Sequence, residues 1–310
     1  MSEIRAYTPG IYARSEELVQ ATRDFDRGRT TQETVAEREA TDLHRYLEVQ
    51  RKADLDYFSD GLLNWQDIFR PFDEAAQGLH PGPLTRFLNT NTFFRAPAVE
   101  EAQTPKLVEP LGEPFSRTGD LPRGGWVATV PSPYALALAA TDNLEPRVVA
   151  ETVIGPQIGW LAGNGCTRVV LQETALFGKV RDVFVLGEAL EALGSPVPLA
   201  LQLPFGDAGE VLGELVELDV EAIGVDFYAT DVAALPRPFP KTLLAGVVDA
   251  RNSLLEDPEE TAEFGRQILE ELEGELHLVP NGDLQFVPEK IAREKVLRLG
   301  AAARILKEEQ

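Results

Sequence analysis

The sequence holds a single cysteine, Cys166, a single methionine and three histidines in 310 residues. One cysteine excludes an internal disulfide and any thiolate-cluster metal site built within the chain. Cys166 opens the apolar part of GNGCTRVV with no neighbouring signal that would depress its pKa. It reads as a small buried residue rather than a nucleophile. No apolar stretch approaches the ~18 residues of a membrane span. The start, MSEIRAYTPG, lacks the basic and apolar regions of a signal peptide, which points to a cytoplasmic protein. Positive charge is also scarce, with 29 Lys and Arg against 51 Asp and Glu, a net charge of -22. That field repels phosphate backbones and anionic lipid, so nucleic acid and membrane surfaces are poor partners and a small-molecule ligand is expected.

What is present suffices for a large core, since 44% of the residues are hydrophobic. Two charged helical segments, 15–27 and 31–53, open the chain, the second with Thr30 or Thr31 as a candidate N-cap. Short β-rich runs then alternate with helical patterns. The strand candidates are 4–8, 55–59, 126–130, 167–172, 197–203, 222–227, 242–248 and 275–279. Helical patterns follow at 144–161, 180–193, 208–218, 258–272 and 288–306. This order predicts an α/β fold, a single (β/α)8 TIM barrel over 1–310, with N-terminal helices and an elaborated second βα loop between about 60 and 125. Within that loop, LVEPLGEPFSRTGDLPRGG is rich in Pro and Gly and reads as either a small hairpin or a mobile stretch.

Active sites of such barrels lie at the C-terminal ends of the strands. Those ends carry Asp60, Ser132, Glu173, Gln202, Asp226, Asp249 with Arg251 and Asn252, and Asn281 with Asp283. Glu173 is the leading candidate for a ligand-binding carboxylate or general base, or else a buried ion-pair partner, with Arg251 as the partner. Asp226 suits a ligand amine, or else it caps the next helix or pairs with a base. Arg251 and Asn252 suit a carboxylate, which the guanidinium fork binds bidentately, or they brace the strand-seven loop. Trp65 stacks on a planar ring or packs at the loop base. His277, between two leucines, reads as a satisfied barrel histidine. His44 and His80 have no second metal ligand at useful spacing. Asp60, Glu173, Asp226 and Asp283 could in principle form an oxygen-only site for Mg²⁺ or Ca²⁺, although their spacing is not a compact motif. In LTRFLNTNTFFRAP, Asn89 and Asn91 lie between aromatic pairs. They either contact a polar ligand or bond local backbone as a structural clamp.

Several of these stretches resemble the cobalamin-independent methionine synthases, zinc enzymes of two barrels that move a methyl group from a folate to homocysteine. LTRFLNTNTFFRAP is similar to the N-terminal barrel's basic-aromatic-Asn-Thr-Asn-aromatic-Pro segment. LLAGVVDARNSLLEDPEE resembles that barrel's Ala-Gly-x-x-x-x-Arg-Asn stretch. VVLQETAL is a variant of Gln-x-Asp-Glu-Pro-Ala-Leu, while YFSDGLLNWQDIF and LVPNGDLQF match in spacing. The resemblance implies a methyltransferase-related protein of methionine biosynthesis, with folate (methyltetrahydrofolate) as the expected ligand.

The departures from the family are chemical. The positions matching the catalytic barrel's zinc ligands are Gln202, Pro204, Asp226 and Gly282, a set that leaves at most one metal-binding carboxylate. Asp60-Gly61-Leu62 replaces the family's Asp-Gly-Glu, and Gly10-Ile11 its Gly-Ser. Arg86 matches a lysine that the N-terminal barrel uses for the folate's polyglutamate tail. The first-helix basic cluster is replaced by SEELVQ, with Arg14 nearby. No metal is therefore expected. The resemblance implies Glu173 and Asp226 as catalytic candidates and Asp60, Arg86, Asn89, Asn91, Arg251, Asn252 and Asn281 as ligand contacts. It also implies a separate zinc-bearing barrel as a partner. A zinc-independent barrel enzyme acting on another small carboxylate-bearing substrate is the alternative.

Overall fold

The computed structural model describes residues 3–88, 90–100, 103–111, 125–178 and 181–309. In chain order, β1 (Ile4–Ala6) leads into α1 (Glu16–Asp26) and α2 (Gln32–Ala53). An insertion follows, with α3 (Arg70–Ala75), β2 (Ala76–Gln77), β3 (Leu79–Arg86), β4 (Phe93–Val99) and β5 (Lys106–Leu107). From β6 (Trp126–Pro131) onward strands and helices alternate. After β6 come α4 (Pro133–Ala139), α5 (Pro146–Val149), a π-helical turn (Ala150–Ile154) and α6 (Gly155–Gly163). Then follow β7 (Cys166–Gln172), α7 (Val183–Ala192), β8 (Leu199–Leu203), α8 (Leu212–Leu215) and β9 (Ala222–Asp226). The chain ends with β10 (Thr242–Val248), α9 (Pro258–Leu269), β11 (Leu276–Pro280) and α10 (Glu289–Glu308).

Seven strands form one parallel sheet in the order β1-β11-β10-β9-β8-β7-β6. Strands covered on both faces read as unbroken apolar runs, and TLLAGVV of β10 is buried at every position. The interior of the curled sheet is filled by Tyr7, Val127, Val170, Ala200, Ala222, Leu244 and Val279. Each large aliphatic side chain removed from water there is worth roughly 1.5–3 kcal/mol. The N-terminal end of the interior is closed by a polar plug. Arg168 pairs with Glu221 at 2.5 Å and donates to His277 Nδ1 at 3.3 Å, while His277 Nε2 donates to Glu275 at 3.0 Å. Burial, reinforced by the Arg168 charge, pushes the His277 pKa down to about 3. It is therefore a satisfied, neutral core histidine.

The expected second strand, 55–59, forms no continuous ladder. It touches both edges of the sheet at single points: Asp56 N donates to Ala6 O at 2.9 Å, and Phe58 forms an isolated parallel bridge with Trp126. Asp56 diverts its side chain to the Ala6 N–H and to Lys307, which replaces regular pairing on the β1 side. The helical pattern at 208–218 shortens to α8, flanked by turns. The helix starts follow capping chemistry. Ser15, Thr31 and Asp257 accept from backbone N–H groups of the first turns of α1, α2 and α9.

The insertion is folded, not open. β3 and β4 form an antiparallel hairpin and β2 pairs with β5. The hairpin therefore lies upstream of the Pro/Gly-rich stretch, most of which lies outside the described residues. LTRFLNTNTFFRAP is its tip. Arg86 Nε donates to Thr90 O at 2.6 Å and Nη2 to Asn91 Oδ1 at 3.3 Å, clasping the turn from within. Asn89 lies outside the described residues. Phe87 stacks on Phe286, ring centroids 5.9 Å apart, and meets Phe94 edge-on. The tip is thus pinned to the segment between β11 and α10, over the C-terminal ends of the strands. Trp65 packs edge-on against Phe72 at the base of the insertion.

Candidate functional site

The parallel strands deliver their terminal polar residues to one end of the sheet, where two clusters form. In the first, Glu173 follows β7 and is fully buried. Its Oε2 accepts from Ser132 Oγ at 2.5 Å and its Oε1 from Ala175 N at 2.6 Å. Ser132 is held by its second task, capping α4 through Tyr134 N and Ala135 N. Burial raises the Glu173 pKa to about 7 against the pull of these hydrogen bonds. A carboxyl poised there can take or give a proton at neutral pH. The partner of Glu173 is Ser132; Arg251 pairs elsewhere.

The second cluster is built on β9, β10 and β11. Asp226 Oδ1 accepts from Asn281 Nδ2 at 3.0 Å and Tyr228 N at 2.9 Å. Asn281 is fixed in turn, accepting from Ala250 N at 2.9 Å and reaching Asp249 Oδ1 at 3.4 Å. Arg251 lies beside both acids, 3.7 Å from Asp226 Oδ2 and 3.8 Å from Asp249 Oδ1. Burial raises the Asp226 pKa, opposed by the Asn281 hydrogen bond and the Arg251 charge. Between the clusters, Asp283 accepts from Gln172 Nε2 at 2.8 Å and Ile11 N at 3.1 Å, and burial raises its pKa too.

The remaining candidates are dispersed. Asp60 Oδ1 accepts from Leu62 N at 3.1 Å, in a local turn. Asn252 is exposed and accepts from Leu254 N at 3.0 Å. Arg86 and Asn91 serve the hairpin tip. The acids named for an oxygen-only cation site are each engaged separately. Among the described residues no three His, Cys, Asp or Glu side chains are placed to hold a metal ion.

Two features escaped the sequence. Phe205 follows β8 with a left-handed backbone, φ 60°. Its ring leans on Gly282, where a Cβ would come within 2.4 Å of it, and carries the Arg251 guanidinium 4.7 Å above. Left-handed backbone in a bulky residue is uncommon and clusters at functional sites. The only signal in the sequence was an aromatic just before Gly206, beyond a strand end. The second feature is a groove of about 370 Å³ between α1 and the hairpin. Arg14, Arg23, Arg70 and Arg95 line it together with Asp26, Asp67, Leu84 and Phe93. These arginines are scattered over some eighty positions of an acidic chain, so only folding gathers them.

The fold and this site define the chain as a parallel α/β protein of barrel type, with its polar residues gathered at the strand ends. Comparison with known proteins narrows the class. No protein-family model matches the chain. It is 31% identical over 215 residues to a 5-methyltetrahydropteroyltriglutamate–homocysteine methyltransferase of Mycobacterium tuberculosis, covering 63% of this chain and 27% of that protein. The chain spans about a quarter of the length of such relatives. A methionine synthase of Sulfurisphaera tokodaii is 24% identical over 315 residues, covering 97% of this chain and 91% of that protein. In fold, the chain resembles a B12-independent methionine synthase from Shewanella sp. W3-18-1, solved with selenomethionine. The TM-score is 0.73 at 18% identity, with 91% of each chain covered. The chain is a relative of the cobalamin-independent methionine synthases, a methyl-transfer family.

Proposed function

We propose that this chain is a zinc-free barrel of the methionine-synthase type that binds a folate, methyltetrahydrofolate, and serves a separate zinc-bearing barrel in methionine synthesis. One observation carries the reading. Where the family's metal would be held, this chain presents Gln202, Pro204, Asp226 and Gly282, and a guanidinium lies beside Asp226. Gln202 spends its amide N–H on Pro280 O at 3.0 Å. Gly282 has no side chain, and the Phe205 ring fills the space beside it. Arg251 supplies a positive charge next to Asp226, the one remaining carboxylate. These residues do not fit zinc, whose sites use three or four nitrogen, sulfur or carboxylate donors. Segment 55–59, bonded to both sheet edges, serves as the eighth stave that closes the barrel.

The arginine groove supports the folate. Arg14 is half-buried and feels the charges of Glu39 and Asp42, and Arg70 is paired with Glu74. The four guanidinium groups outnumber the two carboxylates, Asp26 and Asp67, that line the groove with them, which leaves it locally positive in an acidic chain and suits the carboxylates of a glutamate tail. The Arg86 position is taken up by the hairpin turn, so the groove replaces it. If the chain catalyses a one-carbon transfer itself, Glu173 is its proton-exchanging group and Asp226 orients the acceptor.

Three measurements test this. Metal analysis of purified protein should find well under one zinc per chain. Methyltetrahydrofolate triglutamate should raise the melting temperature by mass action, more than the monoglutamate does. Arg14→Gln together with Arg23→Gln should erase that difference. Stoichiometric zinc, or homocysteine methylation by this chain alone, would refute the proposal.

A further inference from the structure

The strand-end cluster on β9 and β10 contains an unsatisfied pair. Asp226 Oδ2 is fully buried and, among the described residues, accepts no hydrogen bond. The guanidinium of Arg251, the nearest cation, stands 3.7 Å from it and 3.8 Å from Asp249 Oδ1, beyond hydrogen-bond distance of either. Charge-assisted bonds in a settled pair run to about 2.7–2.9 Å, so this ion pair is open. The opening is held by Phe205. Its ring carries the guanidinium at 4.7 Å, and Phe286, edge-on to Phe205 at 5.3 Å, links it to Phe87 of the hairpin tip. Arg251 therefore presents donors next to an acceptor that lacks one.

We infer that Arg251 and Asp226 form a donor–acceptor edge that reads a neutral planar amide or lactam group of the ligand, with Phe205 as the residue that positions the arginine. The ligand's carbonyl accepts from Arg251 and its N–H donates to Asp226 Oδ2, after the guanidinium slides along the Phe205 ring. A carboxylate is the wrong partner for this edge. It brings no donor for Asp226, and two carboxylates already lie within 4 Å of the guanidinium. Opposing like charges so close, in a partly desolvated site, outweighs the charge-assisted bond that a carboxylate would make to the guanidinium. The inference rests on reading the strand ends as the ligand-binding end, and it does not require that the ligand be a folate.

The test uses the full chain and an isosteric pair of probes, nicotinamide and nicotinate, titrated by NMR chemical-shift perturbation. Wild type should bind nicotinamide about tenfold more tightly than nicotinate, a difference typical of one charged hydrogen bond. Asp226→Asn should abolish or reverse that preference, because it removes the repelling charge and adds a donor. Arg251→Gln should weaken both probes. Phe205→Leu should weaken nicotinamide about tenfold while Phe205→Tyr, which keeps the ring under the cation, should not. A merely structural Phe205 would leave the preference between probes unchanged in every variant that stays folded. Nicotinate binding as tightly as nicotinamide to wild type, neither probe binding at millimolar concentration, or an unaltered preference in Asp226→Asn would overturn the inference. Nicotinamide selectivity without any folate binding would sink only the folate assignment.

Discussion

Asp73, on α3 in the insertion, is 1% exposed, and neither carboxylate oxygen has a hydrogen-bond partner among the described residues. Burial is the main cause of its pKa rising to about 9 from 3.8, with the charges of Asp67 and Glu74 adding to the rise. The consequence for stability has a definite sign. Because the folded-state pKa lies above the unfolded value, the folded form is favoured fully only below pH 3.8 and loses stability as pH rises toward 9. Each pH unit in that window costs about 1.4 kcal/mol, so by pH 7 the penalty approaches roughly 4 kcal/mol. Asp73→Asn keeps the shape and cannot ionise. It should match wild type near pH 4 and exceed it by up to about 4 kcal/mol at pH 7, less whatever water entry already relieves. Urea unfolding at a series of pH values, followed by circular dichroism, measures the gap directly. A gap that stays constant between pH 4 and pH 8 would show that Asp73 ionises in a solvated or paired setting, and the reasoning from its burial would fail.

Further outcomes follow from the same structure. Glu173→Gln removes a carboxyl whose folded pKa of about 7 exceeds the usual value of 4.5. It should add up to roughly 3 kcal/mol of stability at pH 8 and nothing below pH 4, read by the same unfolding series. Gly282→Ala places a methyl against the Phe205 ring, where 2.4 Å is available. It should cost about 1–3 kcal/mol and shift the Arg251 side-chain resonances. Phe87→Ala should destabilise by roughly 3–5 kcal/mol if the tip is part of the core; faster amide exchange confined to β3 and β4 would show local release instead.

Much of the fold was legible before folding. The β10 run from Thr242 to Val248 was bounded by its own composition, since a strand buried on both faces has only apolar residues to offer. The polar residues just beyond such runs, Glu173, Asp226 and Asn281 among them, fell at the strand ends because the apolar runs determine where the strands stop. Segment 55–59 was harder to read. Its LDYFS alternation suits a strand, yet Asp56 takes the Ala6 N–H with its side chain, a long-range competition that no local window reveals. The hairpin in the insertion was hidden by His80, Pro81, Gly82 and Pro83, which break a strand pattern, and its bulge between Pro81 and Leu84 absorbs them.

The sequence alone determined which residues are apolar, where most strands of the parallel sheet and the helix caps fall, and the acidic charge. These depend on neighbours in the chain. The tertiary structure alone decided that Arg251 pairs with Asp226 and not Glu173, that Phe205 supports that arginine against Gly282, and that four distant arginines share one groove. Such meetings join residues tens to hundreds of positions apart. Their geometry follows from how the sheet curls and the hairpin packs across its end, which no stretch of sequence contains.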